Sequence, residues 1–217
     1  MQDGQIHSLA PPEVLNGRRV MLRRYGEHDA AAVFGAVQES INHLRAWLPW
    51  YDAHSTIKDS LAFINQTQTE WEKLQAFHIG MFTASGDYLG GCGLHVVDRY
   101  VPSFALGYWI RQTKERQGYV REAAELMTQC AFGQLGAERV VIYCDARNRR
   151  SAAVAEHCGY ILEGTSLSAR RDTAGGLADV CIYALIRSHY QQLQEQSTNP
   201  SRADASTADN SNHADAV

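Results

Sequence analysis

The chain has 217 residues, 45% hydrophobic and 20% charged, a size and composition that suit one globular domain with a substantial core. A formal charge of -4 gives no global attraction to polyanions, so no direct binding of nucleic acid is expected. No stretch reaches the roughly 18 apolar residues that span a membrane, and Met1-Gln2-Asp3-Gly4 lacks the basic-then-apolar start of a signal peptide.

In chain order, residues 1–17 are expected to form an arm, stiffened at Pro11-Pro12. Residues 18–24 alternate, Val20 and Leu22 against Arg19, Met21 and Arg23, which predicts a first strand at or near a sheet edge. Residues 29–37 pattern as a helix and lead to an aromatic cluster, Trp47-Leu48-Pro49-Trp50, broken by its proline. A second amphipathic helix is predicted over 57–74, with Leu61, Ile64, Trp71 and Leu74 toward the core. Residues 77–83 and 88–97 read as paired strands around the Ser85-Gly86-Asp87 turn. Gly90, Gly91 and Gly93 inside the second strand suggest a bulge or a close backbone approach.

Residues 105–110 are a short apolar and aromatic strand, and the loop after it carries Arg111, Lys114 and Arg116 and turns at Gly118. From Tyr119 the period becomes helical, through Ala123, Leu126, Met127, Cys130, Ala131 and Leu135. Three cations and a glycine before a helix start suit a phosphate-bearing ligand, because free N–H groups and the macrodipole point at it; a solvated turn gives the same pattern. A β-branched strand over 139–144, an alanine-rich helix opened by Asn148 and Ser151, and strands over 161–167 and 180–186 complete the order. Between the last two strands lie Arg170, Arg171, Asp172 and the Gly175-Gly176 turn. This places the folded domain at 18–190, and residues 195–217, nearly without large apolar side chains, are expected to be disordered. Cys92, Cys130, Cys144, Cys158 and Cys181 form no C-x-x-C pair and read as reduced core thiols of a cytoplasmic protein, with no metal expected. A dinucleotide-binding domain is excluded, since no G-x-G-x-x-G follows a first strand.

Taken jointly, Gly107-Tyr108-Trp109, Gly118-Tyr119-Val120 with Glu122-Ala123, Asn148, Ser151-Ala152-Ala153 and the 159–164 segment resemble the GNAT superfamily of acetyl-CoA-dependent N-acetyltransferases. The nearest branch is the ribosomal-protein N-terminal (Ser/Ala) type, and the likeness runs over residues 18–187. The resemblance implies an α/β fold of the GNAT type: a mixed, mostly antiparallel sheet of six to seven strands flanked by helices, splayed at its central cofactor-binding strands. It implies direct transfer of an acetyl group from acetyl-CoA to a primary amine in a ternary complex, with a protein N-terminus as the first acceptor. A small amine (antibiotic, polyamine or amino acid) is the alternative acceptor, and a non-catalytic acyl-CoA sensor the alternative role. A monomer or homodimer is expected.

The same resemblance assigns residues. Arg116, Gln117, Gly118, Tyr119 and Val120 would hold the pyrophosphate, although Glu115 and Val120 depart from the Gln or Arg and the Gly or Ala usual there. Arg116 would offset the charge of Glu115. Tyr108, Trp109 and Ile110, with Arg111 following, match the strand whose backbone bonds the pantetheine amides and the acyl oxygen. Asn148 would bond the pantetheine arm, and Ser151 would protonate the departing thiolate or serve as a helix N-cap. Trp47 and Trp50 would line the acceptor groove or plug the space under the first helices. Where the branch carries a glutamate base this chain has Arg170; Glu39, His95 and Asp98 are candidates by position only, and the base is unassigned.

Overall fold

The computed structural model describes residues 10–198. Strands β1 (Val14–Asn16) and β2 (Val20–Arg24) form an edge hairpin, followed by α1 (Ala30–Leu44), a 3-10 turn over Pro49–His54, and α2 (Ile57–Glu72). A meander comes next, β3 (Ala76–Thr83), β4 (Tyr88–Asp98) and β5 (Ser103–Ile110). Then α3 (Tyr119–Gly133), β6 (Arg139–Asp145), α4 (Arg149–His157), β7 (Ile161–Arg171), β8 (Leu177–Ile186) and α5 (Arg187–Thr198) complete the described chain. The strands lie in one sheet, in the order β1-β2-β3-β4-β5-β6-β8-β7. Every pair is antiparallel except β5 and β6, which run parallel.

Alternation along the strands sorts the apolar side chains onto two faces. Phe77, Ile79 and Met81 of β3 join Leu94, Phe104 and Val140 under α3, which contributes Ala123, Ala124, Met127, Cys130 and Ala131. On the opposite face Phe82, Tyr25 and Tyr88 pack against Val33, Val37 and Leu44 of α1 and Ile64 of α2. Helix α2 starts where Thr56 accepts from the Asp59 backbone N–H (3.2 Å) and Asp59 accepts from that of Thr56 (2.8 Å), a reciprocal capping box. Ile64 and Trp71 are buried as expected, with Leu61 and Leu74 partly so.

The α/β class and mostly antiparallel sheet agree with the expectation, with eight strands instead of six to seven. The added strand, Val14–Asn16, lies in the stretch read as an arm; three residues are too few to show a period of two. The stretch between the last two strands is shorter than expected, because β7 extends to Arg171 and β8 starts at Leu177. Helix α5 runs to Thr198, into the stretch read as disordered, with Tyr190 stacked on Phe132 at 4.6 Å. The remaining expectations for residues 1–9 and 199–217 fall outside the described residues.

The feature that positions the site is the parting of β5 from β6. Their pairing spans only Ser103↔Arg139, Phe104↔Val140 and Ala105↔Val141. Beyond it β5 stays on β4 as far as Gly90↔Ile110, while β6 stays on β8 as far as Asp145↔Val180. A backbone contact holds β5 to β4 at the open end. Gly90 has φ +154°, and a Cβ there would collide with the carbonyl oxygen of Trp109 and come within 2.9 Å of Ile110 Cα. Replacing Gly90 with alanine is therefore expected to cost more than about 1 kcal/mol, measured as a fall in the urea midpoint; an unchanged midpoint would contradict this close approach.

Candidate active site

Two clefts flank the open end of β5. The first has a volume of about 450 Å³ and lies along the β5–β6 seam on the α3 and α4 side. One wall is residues 106–110 of β5, the other Ile142, Tyr143, Cys144 and Asp145 of β6. On the seam side, residues past Ala105 have no strand partner among the described residues, which leaves their backbone groups for a ligand. The floor ends at the N-terminus of α3, where Gly118 (φ +79°) is the N-cap and no side chain caps the helix. The first N–H groups of a helix lack intrahelical partners, and here Gly118, Tyr119, Val120 and Arg121 line the cleft. Lys114, Arg116, Arg150 and Arg170 stand around it, a concentration of positive charge on a chain that is net acidic.

The departure at Glu115 is neutralised locally. Its carboxylate lies 2.9 Å from His43 Nε2 and accepts from Arg150 at 2.6 Å, so its charge is directed to partners within the chain. Val120 lines the cleft without closing it. An uncapped helix start ringed by cations, continued by a seam of unpaired strand backbone, fits an elongated ligand with an anionic end and an amide-bearing arm. That is the shape and chemistry of acetyl-CoA.

At the inner end of this cleft, Asn148 is the N-cap of α4, accepting from the Ser151 N–H at 3.1 Å. Ser151 is thus not the cap, and its hydroxyl is available for other work. It lies 3.2 Å from the Tyr108 hydroxyl, which also donates to the Ser151 carbonyl at 3.0 Å. Burial pushes the Tyr108 phenol up from its ordinary value, and pushes the Cys144 thiol to about 11, partly offset by a hydrogen bond with Ser151. Both neighbours therefore stay protonated at neutral pH.

The second cleft, about 830 Å³, occupies the opposite face, between α2 and the meander. Its floor is made of residues directly opposite one another in register: Gly91↔Trp109 and His78↔Gly93↔Gly107. A Cβ on Gly107 would meet nothing within 4 Å, so the floor opens into the cleft there. Rings line the wall edge to face, Trp109 to Trp50 (5.7 Å), Trp50 to His54 (5.8 Å), His54 to Phe63 (5.1 Å) and Phe63 to His78 (5.8 Å). Asp59 and Glu70 of α2 add carboxylates. The two clefts share Leu48, Gly107, Tyr108 and Trp109.

The structure thus brings Tyr108, Trp109, Ile110, Arg116, Gly118, Tyr119, Val120, Asn148 and Ser151 to one cleft. Arg111 and Gln117 are not among its lining residues. Arg111 is bonded to Glu39 and to the Tyr88 carbonyl (3.2 Å), and Gln117 donates from its side chain to the Thr113 carbonyl (3.4 Å). Trp50 lines the second cleft, whereas Trp47 faces the first. Of the candidate bases, Glu39 is held down to about 2 by its bond with Arg111, and Asp98 accepts from the backbone N–H groups of Tyr100 (2.7 Å) and Val101 (3.2 Å). His95 lines the second cleft beside His78, which the sequence reading passed over. Only register shows that His78 stands opposite a glycine, and no local pattern carries that.

Burial and the neighbouring His95 bring the His78 imidazole down to about 4, with Glu70 partly opposing; burial also lowers His54 and His95. Depressed imidazoles bind fewer protons in the folded state, so their contribution to stability is complete above the unfolded value near 6.5 and is lost as pH falls toward 4. The thermal midpoint is expected to be lower at pH 5 than at pH 7, with a smaller difference in His78→Gln. Equal midpoints in the wild-type chain would contradict the neutral, buried assignment.

Comparison with known proteins agrees with this geometry. The family described as "Acetyltransferase (GNAT) domain" matches residues 19–161. "Probable N-acetyltransferase YjcK" of Bacillus subtilis (strain 168) is 26% identical over 154 residues, 70% of this chain and 85% of that protein. The solved structure of the microcin C7 self immunity acetyltransferase MccE, in complex with acetyl-CoA and AMP, superposes with a TM-score of 0.75 at 22% identity, covering 82% of this chain and 98% of that one. RimL, the ribosomal L7/L12 alpha-N-protein acetyltransferase, solved in complex with coenzyme A, gives a TM-score of 0.76 at 20% identity, covering 80% and 98%. At those identities the two structures speak for the fold, and the family match for membership. The chain belongs to the GNAT acetyltransferase family and is an acetyl-CoA-dependent N-acetyltransferase.

Proposed function

We propose that the protein transfers the acetyl group to the N-terminal α-amine of a protein, with acetyl-CoA in the seam cleft and the acceptor entering through the aromatic cleft. The observation that carries this reading is that the two clefts approach from opposite faces of the sheet and share Gly107, Tyr108 and Trp109. The similarity to RimL supports a protein acceptor, as does a volume that holds the first residues of an extended chain. An α-amine with a pKa near ~8 is partly free at neutral pH, which suits an acceptor site lined largely by rings. A cytoplasmic location accords with such an acceptor.

Acetyl-CoA supplies an acyl carbon activated by its thioester bond. The chain's own residues hold, orient and move protons. The N-terminus of α3, with Lys114 and Arg116, binds the phosphates. The free edge of residues 106–110 orients the pantetheine arm and donates to the acyl oxygen as negative charge develops there. Asn148 fixes the first turn of α4, and Ser151, backed by Tyr108, gives a proton to the departing sulfur. With a thiol reference pKa near ~8.5, that proton is needed only late in bond cleavage. Trp50 packs against the acceptor.

A second reading, a small-amine acceptor, is favoured by one observation: Asp59 and Glu70 line the aromatic cleft, which gives a cation a place to bind. Free-thiol release from acetyl-CoA, assayed with peptides beginning with Ser, Ala, Thr or Met and with polyamines, aminoglycosides and amino acids, separates the two. Turnover on the peptides is expected; turnover confined to small amines would replace the acceptor and keep the rest. Ser151→Ala is expected to lower kcat by about 100-fold at an unchanged unfolding midpoint, whereas Asn148→Ala lowers stability by about 1 kcal/mol. A Ser151→Ala enzyme with full turnover would remove it as donor.

A further inference from the structure

We propose that His78, oriented by Glu70, is the general base that takes the proton from the acceptor nitrogen; the proposal rests on the acetyl-transfer reading above. The geometry lies in the glycine floor. His78 stands in one row with Gly93 and Gly107, two strand spacings from the point where the clefts meet, about 10 Å between backbones. The intervening residue has no side chain, so the imidazole leans across it: Nδ1 lies 3.4 Å from where a Cβ on Gly93 would be. The ring thus stands at the β3 end of the row that runs through Gly93 to Gly107, and an acceptor nitrogen seated over that row would meet Nδ1 directly or through water. A side chain at position 93 would meet the Phe77 carbonyl at 2.9 Å as well as this ring.

The partners of the ring decide which nitrogen can act. Nε2 lies 3.0 Å from a Glu70 carboxylate oxygen. A neutral imidazole facing a carboxylate puts its proton on that side, so Nε2–H donates to Glu70 and the lone pair is on Nδ1. No protein partner for Nδ1 is found among the described residues. The side chains of His78 and Glu70 are 22% and 24% exposed, so the pair is sheltered yet reachable from the cleft. The ring is wedged edge to face between Phe63 (5.8 Å) and His95 (4.7 Å), which fixes its plane. Among the described residues, the other titratable groups lining this cleft are Asp59 of α2, His54 of the 3-10 turn, Cys92 and His95 of β4, Tyr108 of β5 and Tyr25 after β2. Of these, His54 is bonded to Ser60 (2.9 Å) and Tyr25 to Tyr88 (3.1 Å), so neither is free to serve.

The step balances without any further reactant. The acceptor nitrogen forms a bond to the acyl carbon with its lone pair, and the C–S bond breaks with its electron pair leaving on sulfur. The surplus proton on nitrogen passes to Nδ1, Ser151 supplies the proton that sulfur takes up, and solvent carries the proton from the imidazolium back to Ser151, so that amine and thioester become amide and thiol. A nitrogen that has committed its lone pair to carbon is far more acidic than a free ammonium, so a weakly basic, neutral imidazole suffices as its acceptor. Glu70 touches no reacting atom and is a positioning residue, holding the tautomer and stabilising the imidazolium that forms.

The test uses the full chain and two readouts. Nitrogen-15 NMR of the histidine rings, in the absence of acetyl-CoA, is expected to show His78 as the Nε2–H tautomer in the wild-type chain, a preference lost in Glu70→Gln; a protonated Nδ1 in the wild-type chain overturns the proposal whatever the enzyme acetylates. In kinetics on an accepted amine, His78→Gln is expected to lower kcat/KM by about 100-fold with an unchanged acetyl-CoA dissociation constant by calorimetry. His78→Ala, with space left in the cleft, is expected to regain activity with added imidazole. A folded His78→Gln enzyme within threefold of wild type overturns the base while leaving the acetyl-transfer reading standing. A wild-type protein that releases no thiol with any amine overturns both.

Discussion

The site depends on one constraint: β5 and β6 share only three residue pairs before each follows a different neighbour. Antiparallel pairing binds β5 to β4 over its full length and β6 to β8 over its full length. The sheet is therefore two half-sheets joined near one end. The side chains on the seam's inner surface stay buried, Leu106 at 3% and Ile142 at 1% exposure, so the core is kept while strand backbone is left unpaired. Unpaired backbone in a sheltered cleft is costly without a partner, and a ligand that supplies amides and a carbonyl provides one. The loop between β5 and α3 places an uncapped helix start over the open end of the seam, where an anionic group completes the arrangement.

The opposite face is shaped by glycine. Gly91 lies in register between Gly80 and Trp109, and Gly93 between His78 and Gly107; the Tyr25 hydroxyl and the Trp109 ring cover the first, the His78 ring the second. A Cβ at position 91 would come within 2.6 Å of the Tyr25 hydroxyl and 2.8 Å of Trp109 Nε1, and one at position 93 within 3.4 Å of His78 Nδ1. Removing Cβ atoms from two adjacent rows turns a sheet surface into a floor, and α2 closes it from above with Phe63, Asp59 and Glu70. The same few residues of β5 thus present backbone to one cleft and the Trp109 ring to the other.

Much of this was legible in the residues. The change from a period of two to a helical one at Tyr119, the glycine at 118 and the Asn148/Ser151 pair located the seam cleft, because those signals are local. The glycines of β4 correctly announced a close approach, though not what lay above them. What escaped was set by register and by distance in sequence. Trp47 and Trp50 are three residues apart yet face different clefts, because the chain turns at Pro49. Arg111 looked like part of a phosphate loop until Glu39, 72 residues earlier, proved to be its partner. Glu115 looked repulsive until His43 and Arg150 closed around it. Strand β1 and helix α5 were missed, one too short and one too polar for its periodicity to stand out.

The central claim is that the parted β5–β6 seam holds acetyl-CoA. Backbone amide hydrogen exchange, followed by mass spectrometry with and without coenzyme A, addresses it directly. Added protection is expected in residues 106–110 and at the start of α3, around Tyr119, Val120 and Arg121, with little change in β7 or α5. Protection confined to other elements, or none at a saturating ligand concentration, would contradict it.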